Sequence, residues 1–333
     1  MSSPYIEGET LEVTVDSVPH GHPLAHGQLR LHILSVFQPI TMSPVMVVRF
    51  QSEVGNEMEA ILKLYDRRFG MNSRRWRHEW TREAEASWQR YVGEGKACAL
   101  FYGFEEKERK ESEGFFEDSS SDSDDQLGEG CAARPPVAIP QRLAPAEGSL
   151  QRLALQQFVS ETTAYQKMTA LQGHCVPSLL AHVSMSLAPP GLDCLDHDHE
   201  GYFKIPGILL QYIEGYNLST ELASETPREV WEKTVQRAVD AVKMMNSCGV
   251  INRDCQPRNV VVQRTTLQPF LIDFGQCNFR EDYGSDDEFA YWVNSTDSQG
   301  AIGVVMAQKL KKSQGVKLSI RYEVMESNFD PDI

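Results

Sequence analysis

With 333 residues and 41% hydrophobic content, the chain is long enough for one large core or two modest domains, and too ordinary in composition for a fibre or repeat array. Its formal net charge of -15 argues against nonspecific binding to nucleic acid or an anionic membrane, because the summed field repels phosphate unless a local basic patch reverses it. The stretch Met1 to Glu9 has neither a basic flank nor an apolar run, no later run is long enough to span a bilayer, and seven cysteines without CxxC spacing read as reduced thiols, so an intracellular setting, cytoplasmic or nuclear, is expected.

Three β-rich runs come first: Leu29 to Phe37, Val45 to Gln51 and Glu59 to Tyr65, the last two parted by Val54-Gly55-Asn56, which predicts an antiparallel meander. Ser73 to Val92 has helical character and carries Trp76, Trp80 and Trp88. Residues 105 to 125 then hold ten acidic and three basic residues, and a Pro/Ala/Gly-rich stretch follows to about Gly148. Such a composition buries too little apolar surface to offset ordering, so 105–148 reads as a disordered insertion. The serine-acid run 119–125 inside it is either a solubilising linker or a target for an acid-directed kinase.

Helical periodicity resumes at Phe158, Glu161, Tyr165 and Met168, whose spacing puts all four on one face and a carboxylate inside an apolar stripe. The loop Asp196-His197-Asp198-His199-Glu200 offers metal-ligand types, but packed consecutively they read as a solvated loop. Ile208 to Ile213 predicts a buried strand ended by Glu214-Gly215. Thr226-Pro227-Arg228-Glu229 predicts a capped helix start, with Trp231, Val235, Ala238, Val242 and Met245 as its core face and Gly249 as its left-handed end. Two short strands, Asn259 to Gln263 and Pro269 to Ile272, and a helix over Ala301 to Leu310 complete the pattern.

The chemistry concentrates in Asn252-Arg253-Asp254-Cys255-Gln256-Pro257-Arg258-Asn259 and, a hairpin's length later, Ile272-Asp273-Phe274-Gly275. Phosphoryl transfer needs a carboxylate near the attacking hydroxyl and oxygen ligands for magnesium on the nucleotide phosphates. Asp254, Asn259 and Asp273 supply those groups at the spacing of the kinase pattern H-R-D-x-x-x-x-N followed by D-F-G, with Asn252 in the position of the histidine. Cys255 reads as a space-filling residue, since no histidine neighbours it in the sequence.

With Ala60-Ile61-Leu62-Lys63-Leu64, Leu64-Tyr65-Asp66-Arg67-Arg68-Phe69 and Pro257-Arg258-Asn259, the chain resembles the divergent fungal protein-kinase-like family over residues 29 to 312. That family borders the aminoglycoside and choline phosphotransferases. The resemblance implies an α+β, two-lobed protein-kinase-like fold with a reduced C-terminal lobe: an N-terminal extension over 1–28, an N-lobe with hinge over 29–215, and a helical C-lobe over 216–333. It implies ATP and Mg2+ as cofactors. Asp254 would be the catalytic base, Lys63 would hold phosphates, and Glu161 would pair with Lys63. Asn259 and Asp273 would bind the metal, and backbone groups of Gln211, Tyr212 and Ile213 would read adenine. No G-x-G-x-x-G is present; Phe37 to Pro44 takes its place, so backbone amides and the hydroxyls of Thr41 and Ser43 would meet the phosphates. The expected activity is transfer of the γ-phosphate to a hydroxyl of a protein or small molecule, protein Ser/Thr first. Nucleotide binding without turnover is the remaining alternative.

Overall fold

The computed structural model describes residues 4–19, 24–52, 55–74, 79–112, 140–187 and 201–331. Strands β1 (Thr10–Ser17), β2 (Gly27–Val36), β3 (Val45–Gln51), β4 (Glu57–Leu64), β5 (Leu179–Ser186) and β6 (Lys204–Gln211) form a closed antiparallel barrel in the order β1-β2-β3-β4-β6-β5. The two-lobed protein-kinase-like fold expected from the motifs is therefore corrected to a closed six-stranded barrel with helices packed outside it, and only the broader α+β class stands. The physical reason lies in residues read as an N-terminal extension. Leu11, Val13 and Val15 alternate inward on β1, so this strand buries one face and pairs with β2 on one side and β5 on the other, leaving no sheet edge.

The pleat divides the barrel residues between two cores. Leu31 and Ile33, Met46, Val48 and Phe50, Ala60, Leu62 and Leu64 fill the interior with Val183 and Leu209. On β4 the intervening residue Lys63, with Tyr65 just beyond the strand, points the other way, toward a second and larger core that includes Ile208, Tyr165, Met168 and Phe274. The helices are α1 (Met71–Arg74), α2 (Arg82–Gly93), α3 (Lys96–Ser112), α4 (Pro140–Lys167), α5 (Leu218–Glu225), α6 (Trp231–Ser247), α7 (Asp286–Thr296) and α8 (Ser298–Gln314); α4, α5, α6 and α8 supply the outer core, α2 and α3 meet the start of α4 in a smaller cluster around Trp88, and α7 packs Phe289 and Val293 on Ile251.

The expectation of a disordered insertion over 105–148 fails at both ends. Residues 105–112 continue α3 and 140–148 open α4, where Glu147 is fully buried; 113–139, with the serine-acid run, lie outside the described residues, as does the loop 196–200. The capped helix start is displaced as well. Thr226 ends α5, its hydroxyl donating to the Leu222 carbonyl (2.6 Å), and a 3₁₀ turn over Arg228–Val230 leads into α6 at Trp231. Pro227, the expected first helical residue, is itself extended (φ -68°, ψ 152°), so the helix cannot begin there. The core face of α6 is as predicted, and Gly249 (φ 76°) follows its last turn, its amide donating to the Asn246 carbonyl.

Five short strands complete the sheets among the described residues: β7 (Gly215–Asn217), β8 (Val250–Asn252), β9 (Val260–Gln263), β10 (Pro269–Leu271) and, after the Asp273 turn, β11 (Cys277–Phe279). β7, β9 and β10 form one small sheet, and β8 pairs with β11. Gly215 must be glycine, because a Cβ there would lie 2.3 Å from the Val262 carbonyl oxygen on the neighbouring strand. No helix among the described residues is long and apolar enough to cross a membrane.

Candidate functional site

Lys63 faces α4 because it alternates with Leu62 and Leu64, which fill the barrel. Glu161 meets it because Phe158, Glu161, Tyr165 and Met168 form the face that α4 turns to the outer core. The Lys63 Nζ donates to Glu161 Oε2 (2.5 Å) and to Asp273 Oδ1 (2.6 Å), bringing together three residues separated by 98 and 210 positions in sequence. The Tyr65 hydroxyl donates to the same Glu161 Oε2 (2.6 Å). Glu161 is 1% exposed, and its Oε1 has no hydrogen-bond partner among the described residues.

Burial alone would lower the Lys63 pKa, but the charges of Asp273 and Glu161 outweigh it and hold the ammonium above the ordinary lysine value. The Lys63 charge in turn holds the Asp273 carboxyl below the usual aspartate value, against the opposing effect of burial. Asp273 differs from Glu161 in access: its side chain is 43% exposed. Its backbone is left-handed (φ 66°), a conformation Asp tolerates better than most residues but still at some cost.

The second half of the site hangs on β8, β9 and the turn between them. The Asn252 amide donates to the Asp273 carbonyl (3.1 Å), and its oxygen accepts from the Asp254 backbone amide (2.9 Å). One side chain thus ties the Asp254 loop to the Asp273 turn. The Ile272 amide adds a bond to the Asn259 carbonyl (3.0 Å), and Arg253 pairs through its amide with the Gln276 carbonyl (2.9 Å). Asp254 Oδ1 accepts from Arg258 Nη2 (2.7 Å) and Gln256 Nε2 (3.1 Å), and Oδ2 accepts from Asn259 Nδ2 (3.1 Å). Asn259 Nδ2 also donates to the Asp254 carbonyl (2.8 Å), which leaves its Oδ1 as the atom able to bind a cation. Burial pushes the Cys255 thiol up to about 12, with Asp254 adding to the effect, so it stays protonated near neutral pH and is no nucleophile.

The expected nucleotide contacts fare unevenly. Thr41 and Ser43 lie on the turn between β2 and β3, and Val45, just past it, pairs across from Lys63. The Thr41 carbonyl accepts from Asn72 (2.8 Å) and Ser43 is buried; no hydrogen bond among the described residues joins either to Lys63 or Asp273. Gln211 ends β6, its amide donating to the Ser178 carbonyl (2.8 Å) and its side-chain oxygen accepting from the Ser178 amide (3.1 Å), so these groups serve the barrel edge. Tyr212 and Ile213 follow in the link to β7, with Ile213 buried. A surface cleft of about 530 Å³, lined among others by His174, Cys175, Gln263 and Phe270, includes none of the expected site residues.

Two contributors had no role assigned from the sequence: Tyr65 shares Glu161 with Lys63, and Arg258 engages Asp254. Asn252, noted in the position of the motif's histidine, spans both halves of the site. For Tyr65 a signal existed: it stands two residues beyond Lys63 and therefore on the same side of the strand. Among the described residues no group of three or more His, Cys, Asp or Glu side chains forms a metal cage. The expected metal ligands Asn259 and Asp273 offer an amide oxygen and a carboxylate, and the bond from the Ile272 amide to the Asn259 carbonyl ties their backbones together. Neither a scan of protein-family models nor a search of curated proteins finds a match for this chain.

Proposed function

We propose that the chain is an ATP- and magnesium-dependent phosphotransferase acting on a hydroxyl acceptor, a protein Ser or Thr hydroxyl in the first instance. The observation that carries this reading is the buried Lys63 held jointly by Glu161 and the accessible Asp273, with Asp254 and Asn259 tied to the Asp273 turn through Asn252 and Ile272. Phosphoryl transfer asks the protein mainly for positioning and charge compensation. Lys63, oriented by Glu161 and Tyr65, exchanges its contact with Asp273 for phosphate oxygens. Asn259 Oδ1 and the Asp273 carboxylate would hold magnesium, which supplies further positive charge on the phosphates when bound. Asp254 orients the acceptor hydroxyl and takes its proton as the acceptor oxygen bonds to the γ-phosphorus and the bond from that phosphorus to the ADP oxygen breaks. Arg258, exposed and on the same carboxylate, keeps that carboxylate oriented until the acceptor arrives.

Nucleotide binding without turnover is favoured by one specific feature: both Asp254 oxygens are already occupied by Gln256, Arg258 and Asn259. Calorimetric ATP titrations with and without magnesium, paired with phosphate-transfer rates, separate the readings. Asp254→Asn is expected to spare magnesium-ATP binding and to lower turnover by about two to four powers of ten. Asp273→Asn is expected to weaken magnesium-dependent binding itself. Equal background rates for wild type and Asp254→Asn reject turnover, and the absence of nucleotide binding in wild type rejects the cofactor assignment.

A further inference from the structure

Beyond α8, residues 316–329 run across α6, α7 and α8 without joining a helix or sheet, and from Ser319 to Met325 their backbone is gripped by helix side chains at every second residue. The Ser319 amide donates to Glu232 Oε2 (2.8 Å). The Arg321 amide donates to Gln236 Oε1 (2.9 Å), and Gln236 Nε2 returns a bond to the Arg321 carbonyl (3.1 Å). Gln299 makes the same two-way pair with Glu323 (3.2 and 2.8 Å), and Asn294 with Met325 (3.0 and 2.8 Å). Three carboxamides from three helices thus read the N–H and C=O of residues i, i+2 and i+4, the repeat of an extended chain.

The side chains of this segment divide in a way that fits a ligand. Val316 and Leu318 enter the outer core, and Met325 packs against Ile251, Phe289 and Val293. Between those anchors Ile320 packs on the outer core and Glu323 makes a surface ion pair with Lys243 (2.5 Å), but the remaining grip is on backbone: Arg321, Glu323 and Val324 are exposed, the last at 79%. Gly303 on α8 gives the segment room, because a Cβ there would stand 2.6 Å from the Tyr322 hydroxyl oxygen and 3.0 Å from the Ile320 side chain. A carboxamide that pairs with both backbone groups of one residue asks only that the chain be extended and not proline there.

We propose that the face carrying Gln236, Asn294 and Gln299 is a peptide-binding site that recognises extended backbone, that residues 316–329 are its resident ligand, and that this strap is separable and exchangeable. Occupancy bears on the Asp254 loop. Ser298, beside Gln299 at the start of α8, donates to the Asn252 carbonyl (3.4 Å), and Asn252 holds the Asp254 amide. Strap binding and exchange are independent of the phosphotransferase reading.

The test keeps the whole chain. A protease recognition sequence inserted between Gly315 and Val316 lies just past the left-handed end of α8, where Gly315 is exposed. After cleavage of the folded protein, the strap is expected to co-elute with the body and to exchange with an excess of a labelled peptide of residues 316–333. N-methylation of the peptide at Arg321, Glu323 and Met325 is expected to weaken binding by roughly fivefold per amide, whereas alanine at 321 and 323 should change it by no more than about twofold. Gln299→Met with Asn294→Leu in the body should weaken the unmodified peptide more than the N-methylated one, which keeps only the carbonyl half of each pair. Hydrogen exchange at the Asp254 amide should rise when the strap is weakened. Unfolding on cleavage, or a strap that never exchanges, overturns the proposal. So does equal affinity of the methylated and unmodified peptides, or a body double variant that affects both alike.

Discussion

Two buried charge clusters lie on either side of the same few residues, and they are built to opposite specifications. Four positions after Lys63, Arg67 meets Glu147 of α4 and forks onto both oxygens of Glu85 of α2 (2.9 and 2.8 Å); Arg74 forks onto Glu147 (2.9 and 2.8 Å). Among the described residues two guanidiniums meet two carboxylates, and each of the four carboxylate oxygens accepts at least one bond. Around Lys63 one ammonium serves two carboxylates, one buried Glu161 oxygen has no partner among the described residues, and Asp273 is accessible on a left-handed backbone. The arginine cluster has nothing left to bind and fastens α4 and α2 to the chain after β4. The lysine cluster retains negative charge and access, which suits a site that takes up a cation and exchanges partners.

The sharpest way to break this contrast is to remove one carboxylate from each cluster. Glu147→Gln should cost about 3–5 kcal/mol in urea unfolding, because two buried guanidiniums lose the counter-charge they share. Glu161→Gln should cost much less, since Lys63 keeps Asp273. Equal losses would mean that both clusters are structural ties and that the excess charge around Lys63 has no special role.

A smaller effect is expected from coupling within the lysine cluster. Lys63→Met and Glu161→Gln should each impair ATP use, and the double variant should fall short of their sum by about 0.5–3 kcal/mol. Additivity would show that the short contact between them has no bearing on nucleotide binding.

The smallest expected effect is on pH dependence. The lowered pKa of Asp273 contributes stability that is present above the unfolded aspartate pKa of about 3.9 and is lost as pH falls through the lower folded value. The raised pKa of Lys63 contributes stability present below about 10.4 and lost as pH rises through the higher folded value. The stability gap between wild type and Asp273→Asn should therefore hold steady from about pH 5 to about pH 9 and close in acid. A gap that changes across neutrality would place the titration on another group.

Much of the site was legible in the chain because its motifs are local. Asp254 and Asn259 sit five residues apart on one turn, and Asp273 follows one hairpin later, so short strands and turn chemistry suffice to bring them near each other. Lys63 and Glu161 were legible by a different route: period-two alternation on β4 and period 3.6 on α4 each give a face, and a carboxylate in an apolar stripe needs a cation. The helical ends of 105–148 were hidden for different reasons: Glu105 to Glu111 consists of good helix formers but has no apolar stripe to mark a buried face, and Pro140 and Pro145 interrupt the pattern at the other end. Glu147 is tolerated in the interior only because Arg67 and Arg74 are there to meet it.

The sequence by itself determined the alternation of β4, the buried faces of α4 and α6, and the spacing of Asp254, Asn259 and Asp273. These depend on neighbours within a few residues, where backbone geometry alone relates one side chain to the next. Tertiary structure alone decided that β1 bridges β2 and β5 to close the barrel, that Arg258 and Gln256 occupy Asp254, and that three carboxamides on three helices line up to hold residues 321, 323 and 325. Each of these joins groups whose separation in space is set by the packing of whole elements, or whose rotamers are chosen by that packing, and no periodicity in the chain encodes either.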